Sequence, residues 1–231
     1  DFNHNPLHLV SYSPPFEGTL TWEELAPHLY TSEAQPDAIP WKFKYYERDW
    51  GFCLPKTLFD SLSRSQRYHV YIDTYFDGAP QPGFKVATAL VHPPTGPAGV
   101  GELFVMAHTC HPNQANDDAA GVVTAIEVAR RLAAKPLPPG AMSVRFWFGP
   151  ETIGTIAYLA NHEDLIPEMR GGIFIEMTGN DNNLALQHSR QGQAVIDKVG
   201  QYVLRRQVES FREGAFAEVI ANDERVLNGP G

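Results

Sequence analysis

Residues 101–121 constrain the fold and the chemistry of this chain more than any other stretch. An apolar run at 103–107 ends on His108, and polar residues follow it: Cys110, His111, Asn116, Asp117 and Asp118. Such a run, bounded by polar turn residues, is typical of a buried strand, and the Ala-Ala-Gly that comes next begins a helix. Imidazole nitrogens and carboxylate oxygens are ligands that Zn²⁺ prefers. A zinc site is therefore the leading interpretation of this strand-to-helix junction.

The composition is that of a globular protein and excludes some classes of binding partner. With 231 residues, 43% of them hydrophobic, the chain can form one large domain or two small ones. Its net charge of −9 argues against nucleic acid and anionic membrane as main partners. No apolar run approaches the roughly 18 residues of a membrane span. Because there are only 2 cysteines, Cys53 and Cys110, we expect a reducing, cytoplasmic location without a disulfide framework.

Residues 1–92 predict a small β-rich domain. Alternating apolar residues predict strands at 7–12, 42–46, 50–54, 68–73 and 84–91, and a short helix is expected at 58–62. Thr21 and Glu24 have the spacing of a capping box at the start of a helical turn. One aromatic set is interpreted as core, with a sugar- or peptide-binding face as the alternative: Trp41, Tyr45, Tyr46, Trp50 and Phe52.

Residues 93–231 predict an α/β domain. Strands are expected at 103–107, 142–148, 172–177 and 184–187, and they alternate with helices at 119–134, 152–161 and 193–206. In the first helix, apolar side chains recur at helical spacing: Val122, Ile126, Ala129 and Ala133. Strands that alternate with helices predict a mostly parallel, mixed sheet flanked by helices.

Metal- or proton-binding side chains come where three of these strands end. His108 ends the first strand, Glu151 follows the second, and Glu176 lies at the end of the third. Asp117 opens the helix after the first strand. Because ligands bind at the carboxyl ends of parallel strands, we expect these four side chains to converge on one edge of the sheet.

The order of motifs VMAH, NDDAAG, FGPETIG, FIEMTG and NDE resembles that of the co-catalytic zinc aminopeptidases. The match is closer to a bacterial branch of aminopeptidase-like proteins with an inserted N-terminal β domain. Their pattern is similar to LHLVSYS, QPDAIPW, HTCHPNQAND, PETIGTIAYL and HSRQG of this chain, and the resemblance covers nearly the whole sequence. It implies a zinc-exopeptidase-like fold and an aminopeptidase-like hydrolase that acts on a peptide or a small amide.

The same resemblance implies roles for individual residues. His108, Asp117 and Glu176 take the positions of zinc ligands. Glu151 takes the position of the general base. Asp223 falls in a segment that lines the site and is expected to contact substrate.

Two further residues have less certain roles. His111 is either a further zinc ligand or a structural neighbour that hydrogen-bonds its own loop. Arg190 follows the third strand, where it could bind a substrate carboxylate through two parallel hydrogen bonds. An ion pair within its loop is the alternative for Arg190.

The chain departs from the family pattern at several positions. Thr152 stands where the second Glu of a Glu-Glu pair is usual, so we expect one zinc rather than two. Cys110 stands where a carboxylate usually orients the ligand His, and Asp118 is assigned no metal role. No His follows His188, and the chain lacks an initial Met. We therefore expect a chain that is truncated at both ends and lacks the last family ligand.

Two alternatives to an aminopeptidase remain open. An amidase or deacylase that acts on a small molecule or a sugar would use the same zinc and the same Glu151. A degenerate peptidase fold would instead act as a non-catalytic binding module, and Thr152 and Cys110 support this alternative. The sequence makes no prediction of oligomeric state.

Overall fold

A computed structural model describes residues 6–44, 47–75, 85–94, 101–111, 114–216 and 223–227. The chain divides into two compact units, Asp1–Gly83 and Phe84–Gly231. The division precedes the strand Ala87–Val91, which the sequence assigned to the first domain but which joins the sheet of the second unit. Alternation of apolar residues identified this strand but carries no information about which strand it pairs with.

The first unit is β-rich with short helices, as expected. Its elements are β1 (His8–Leu9), β2 (Phe16–Leu20), α1 (Trp22–Leu25), a 3₁₀ turn (Ala26–His28), β3 (Leu29–Tyr30), β4 (Phe52–Cys53), α2 (Lys56–Ser61) and β5 (Tyr68–Ile72). One sheet has the order β1-β4-β3, and β2 pairs antiparallel with β5. Thr21 and Glu24 form the predicted capping box at the start of α1.

Trp50 lies at the centre of the core of the first unit. It is 6% exposed, and its ring stacks on that of Phe16 at 4.5 Å between centroids. Phe52 packs against the same core, so the core interpretation is confirmed for these two members of the aromatic set. Trp41 is 52% exposed. The other two members lie outside the described residues: Tyr45 and Tyr46.

The second unit is built on a mixed, mostly parallel sheet. Its strands are β6 (Ala87–Val91), β7 (Glu102–His108), β8 (Ser143–Gly149), β9 (Met169–Phe174), β10 (Ala185–Gln187) and β11 (Arg212–Gly214). The main sheet has the order β6-β8-β7-β9, in which β7 runs parallel to β8 and β9 while β6 is antiparallel to β8. The strands β10 and β11 form a separate parallel pair. The predicted α/β fold is therefore confirmed.

The helices of the second unit alternate with its strands, as expected. They are a π-helical turn (Ala115–Ala120), α3 (Gly121–Ala134), α4 (Ile153–Ala160), a 3₁₀ helix (Glu163–Glu168), α5 (Val195–Gln207) and α6 (Glu224–Leu227). Within the described part of the chain, no helix combines the length and the apolar composition needed to cross a membrane.

The central strand β7 is buried on both faces. Phe104 packs with Trp147 on one face, and Val105 packs with Ala125 of α3 and Phe146 of β8 on the other. A strand covered on both faces has a continuous apolar run rather than an alternating one, which explains the pattern at 103–107. Burial of each large apolar side chain contributes about 1.5–3 kcal/mol. This packing fixes the position of His108, the last residue of β7.

The third strand of the predicted site begins and ends earlier than expected. The sequence predicts a strand at 172–177, whereas β9 ends at Phe174. After a last bond from Ile175 N–H to the carbonyl oxygen of Met106, the chain turns away from the sheet, and Met177 has a φ of 52°. Glu176 therefore follows the strand instead of ending it. The start of α3 lies against the backbone of Ile175 and Glu176 at this point.

Gly121, the first residue of α3, is expected to tolerate no side chain. A Cβ there would collide with the carbonyl oxygen of Ile175 and would lie 3.2 Å from Cα of Glu176. Because backbone atoms cannot yield as a flexible side chain can, Gly121→Ala should destabilise the protein by about 1–3 kcal/mol in a urea titration.

Gly171→Ala in β9 is the matched control, because its nearest neighbour would be Cδ2 of Leu103 at 3.9 Å. We expect this variant to be as stable as the original protein. A Gly121→Ala variant of unchanged stability would contradict the close approach of α3 to the segment that carries Glu176.

Candidate metal and catalytic site

His108 is the centre of a cluster of imidazole and carboxylate groups. Its side chain is buried at the end of β7, and its Nδ1 pairs with the carboxylate of Asp118. On the other side of the ring, Nε2 lies 3.2 Å from Oδ1 of Asp117 and 3.3 Å from Oε2 of Glu176. The structure thus brings three of the residues predicted as metal ligands into contact.

His111 connects this cluster to Glu151. Its Nδ1 lies 3.2 Å from Oδ1 of Asp117 and 3.1 Å from Oδ1 of Asp118. Its Nε2 lies 3.5 Å from Oε2 of Glu151. All four side chains that the sequence expects at this edge of the sheet are therefore in one network, and His111 belongs to it.

Asp118 has a place in the site that the sequence analysis missed. It is 7% exposed, its Oδ1 pairs with Nδ1 of His108, and its Oδ2 accepts the backbone N–H of His111. The expectation that no carboxylate orients His108 is therefore wrong. Asp117 has non-helical backbone angles (φ −119°, ψ 92°), and this kink directs two adjacent carboxylates to opposite sides of one imidazole ring. The Asp-Asp pair was the available signal.

Cys110 lies at the edge of the same cluster. Its Sγ is 3.8 Å from Nδ1 of His108 and accepts the backbone N–H of Glu151 at 3.2 Å. A half-buried thiol in this position links the loop after β7 to the loop after β8.

The carboxylates of the cluster stabilise positive charge on its histidines. Burial opposes protonation of His108, but interactions with Asp118, Cys110 and Glu176 raise its pKa to about 12. Hydrogen bonds to Asp117 and Asp118 raise the pKa of His111 to about 10. Burial opposes ionisation of Asp118, yet hydrogen bonds from the two imidazoles lower the pKa of this carboxyl. A site that favours two imidazolium cations also suits a divalent cation.

Two carboxylate oxygens lie at zinc-site spacing from Nε2 of His108. With bonds of about 2.1 Å to nitrogen and oxygen, neighbouring donors of a tetrahedral zinc site lie roughly 3.4 Å apart. The separations of 3.2 and 3.3 Å from Nε2 of His108 to Asp117 and Glu176 match this value. Two overlapping groups have all their donor atoms within 4.8 Å of one another: His108, His111, Asp117 and Asp118, and His108, Cys110, His111 and Glu151. The imidazole, thiol and carboxylate donors of these two groups suit a zinc ion, whereas Glu176 belongs to neither group and approaches Nε2 of His108.

Glu151 lies next to an unusual turn. Burial raises the pKa of its carboxyl, an effect that the two nearby histidines oppose. Thr152, which follows it, has a φ of 55° and a ψ of −63°. Such angles cost a residue with a branched Cβ about 1–3 kcal/mol. Strained backbone of this kind is common at functional sites.

The two residues predicted to bind substrate lie in different surroundings. Asp223 is fully buried, and its Oδ1 accepts hydrogen bonds from the N–H of Thr152 and the hydroxyl of Thr155. Burial raises the pKa of its carboxyl. Arg190 instead lines a separate cavity of about 530 Å³ between the turn after β10 and the end of β11. None of the described residues that line this cavity belongs to the His108 cluster.

The comparisons with known proteins agree with the fold. This is a chain with a peptidase fold and an N-terminal β-rich region, similar to proteins that have an aminopeptidase-like domain. Residues 91–231 match the domain of unknown function DUF4910, and residues 1–75 match the domain of unknown function DUF2172. The chain belongs to the DUF4910 family.

One known protein and one crystal structure from Clostridium acetobutylicum align with the whole chain. The protein is provisionally named as a polysaccharide biosynthesis protein with an aminopeptidase-like domain. It is 32% identical over an alignment of 233 residues that covers 100% of this chain and 50% of that protein. The crystal structure is that of a provisionally assigned peptidase, with 30% identity and a TM-score of 0.83 over 100% of this chain and 52% of that one. The chain spans about half the length of these relatives.

The raised pKa values of the two histidines predict how the stability of the metal-free protein depends on pH. Because the folded protein holds protons that the unfolded chain releases above about 6.5, stability should fall as the pH rises from about 7 to 10. Replacing His111 by Asn should reduce this slope by up to roughly 1.4 kcal/mol per pH unit. The measurement is the free energy of unfolding in the presence of a chelator.

His69→Asn, in the exposed part of β5, is the control and should keep the original slope. If His111→Asn also kept it, the carboxylates of Asp117 and Asp118 would not be holding a proton on His111.

Proposed function

We propose that this chain is a zinc-dependent, aminopeptidase-like amide hydrolase. One observation carries the proposal: Nε2 of the buried His108 faces the carboxylates of Asp117 and Glu176, while Asp118 holds its Nδ1. A metal-binding histidine usually donates its other ring N–H to a carboxylate in this way. The aminopeptidase-like domain named for one relative and the peptidase assignment of the other support the same class of reaction.

His108, Asp117 and Glu176 are the proposed ligands of one zinc ion. Three protein ligands leave a coordination position open, as catalytic zinc sites require. Zinc in such a site supplies a Lewis acid that polarises an amide carbonyl and lowers the pKa of the attacking water. His111 would be a further ligand, because its ligand atom lies within 4.8 Å of those of His108 and Asp117. Thr152 offers no carboxylate for a second ion, so the proposal is limited to one.

Glu151 is the proposed general base. It would accept a proton from the attacking water and deliver it to the leaving amine. The raised pKa of its carboxyl favours this exchange, since a base is most effective when its pKa approaches the working pH. Its Oε2 lies 3.5 Å from Nε2 of His111, which places the carboxylate at the edge of the ligand cluster.

The charge of the site indicates the end of the substrate that it would bind. The carboxylates of Asp117, Glu151 and Glu176 are each about one quarter exposed, at 29%, 25% and 28% of the side chain. They would attract a free α-amino group, which favours aminopeptidase over carboxypeptidase chemistry. Arg190 remains the proposed contact for a carboxylate of a longer substrate.

A second candidate function is hydrolysis of an amide on a sugar. The relative from Clostridium acetobutylicum that is provisionally assigned to polysaccharide biosynthesis favours it. Hydrolysis of a sugar amide would use the same zinc ligands and the same general base. A panel of aminoacyl anilides and N-acylated amino sugars distinguishes the two, because only one class should be cleaved at a rate that depends on Glu151.

Replacing Glu151 by Gln should remove catalysis and leave metal binding intact. Gln has the same shape but cannot accept a proton, so kcat should fall about 10²–10⁴-fold on the best aminoacyl anilide. The zinc content, measured by elemental analysis, should stay near one equivalent.

Glu163→Gln at the start of the 3₁₀ helix is the control, because Glu163 is exposed. Unchanged activity in Glu151→Gln would contradict the assignment of the base. Absence of zinc from the original protein would instead favour a non-catalytic binding module.

Replacing Asp118 by Asn should weaken zinc binding about 10–100-fold in competition with a chelating dye. One carboxylate oxygen of Asp118 pairs with Nδ1 of His108, and the other accepts a hydrogen bond from the backbone N–H of His111. The side chain of Asn offers only one acceptor atom. Asp164→Asn, at an exposed position, should bind zinc as the original protein does. Equal affinities of the two variants would show that Asp118 does not orient the ligand.

A further inference from the structure

The turn that carries Glu151 has a conformation that the chain would not adopt unaided. Thr152 has a φ of 55° and a ψ of −63°, and the N–H of Ile153 donates to the carbonyl oxygen of Glu151. Together these features define a γ-turn of the rare, strained type. A residue with a branched Cβ is especially disfavoured at positive φ. Other contacts must therefore hold the turn in place.

Asp223 makes those contacts from a distant part of the sequence. Its Oδ1 accepts the backbone N–H of Thr152 at 2.9 Å and the hydroxyl of Thr155, in the first turn of α4. Asp223 is 0% exposed and Thr155 is 2% exposed, so water does not compete for these bonds. Leu227 of α6 packs near Trp147 of β8 and anchors the segment that begins with Asp223.

We propose that Asp223 is a positioning residue that holds the strained Glu151–Thr152 turn and thereby directs the Glu151 carboxylate into the His108 cluster. This inference rests on the proposed function, in which Glu151 is the general base. It assigns Asp223 a different role from the substrate contact that the sequence suggested. A fully buried carboxylate bonded to the turn acts on the reaction through Glu151 rather than by contact with substrate.

The hydrogen bonds indicate that Asp223 acts through its acceptor atom rather than through its charge. Both bonds go to Oδ1, and Oδ2 has no hydrogen-bond partner among the residues that the structure describes. Asn would keep the Oδ1 acceptor and lose the charge. Ala would lose both. The two variants therefore separate a positioning role from any role of the negative charge in binding a cation or a substrate amine.

The test compares Asp223→Asn and Asp223→Ala with the original full chain, after zinc has been supplied to all three. Asp223→Ala should lower kcat on the order of 10–100-fold, because a small misplacement of a catalytic group has this effect. Its KM should stay within about threefold of the original value, and its zinc content should stay near one equivalent. Asp223→Asn should retain most of kcat. Hydrogen exchange of the peptide that contains the Thr152 amide should be at least about tenfold faster in Asp223→Ala only.

A second substitution tests the contribution of strain. Glycine adopts positive φ at little cost, so Thr152→Gly in the Asp223→Ala background should restore part of the lost kcat. Equal losses in Asp223→Asn and Asp223→Ala would overturn the inference, because the charge would then be what matters. Unchanged exchange at Thr152 in Asp223→Ala would also overturn it, as would a glycine variant without any recovery. If the original chain hydrolyses nothing, the proposed function fails, while the exchange measurement still decides whether Asp223 holds the turn.

Discussion

The contact between Nδ1 of His108 and the carboxylate of Asp118 is the interaction on which the rest of the site depends. In the proposed zinc-bound form this contact would hold the proton on Nδ1 and leave the lone pair of Nε2, which faces Asp117 and Glu176, to bind the metal. Both partners are buried, and either one alone would be costly to bury because its charge would be uncompensated. The arrangement therefore has to be complete to be stable.

The sheet brings the parts of this site together from distant points in the sequence. His108 ends β7 opposite Gly149 of β8, and the loop after β8 carries Glu151. Glu176 follows β9, and the start of α3 lies close against the backbone there, an approach that glycine at position 121 permits. The buried packing around β7 and its pairing with β8 and β9 fix where each strand ends along the sheet. Side chains at these ends then lie close to one another, as Nε2 of His108 does with Asp117 at 3.2 Å and with Glu176 at 3.3 Å.

The sequence predicted the features that depend on local pattern, and it missed those that depend on tertiary geometry. The continuous apolar run of β7 and the polar ends of the strands were sufficient to expect the cluster. The antiparallel partner of β6 was not predictable, because strand pairing leaves no periodic signal. For Asp118 the sequence offered the adjacent acid pair, but the kink at Asp117 that separates the two carboxylates was not predictable. In α3 the face that packs on the sheet includes Ala125, Val128 and Leu132, whereas Ile126 of the predicted apolar stripe is 51% exposed. The turn at Thr152 is likewise held by Asp223, which is remote in sequence.

The most direct test of a zinc site at His108 is anomalous diffraction at the zinc absorption edge from crystals of the zinc-loaded protein. The account predicts one peak at about 2.0–2.2 Å from Nε2 of His108 and from carboxylate oxygens of Asp117 and Glu176. Nδ1 of His108 should still be bonded to Asp118 in that structure. A map without a peak at this position, or with the peak bound by Sγ of Cys110 and Glu151 instead, would contradict it.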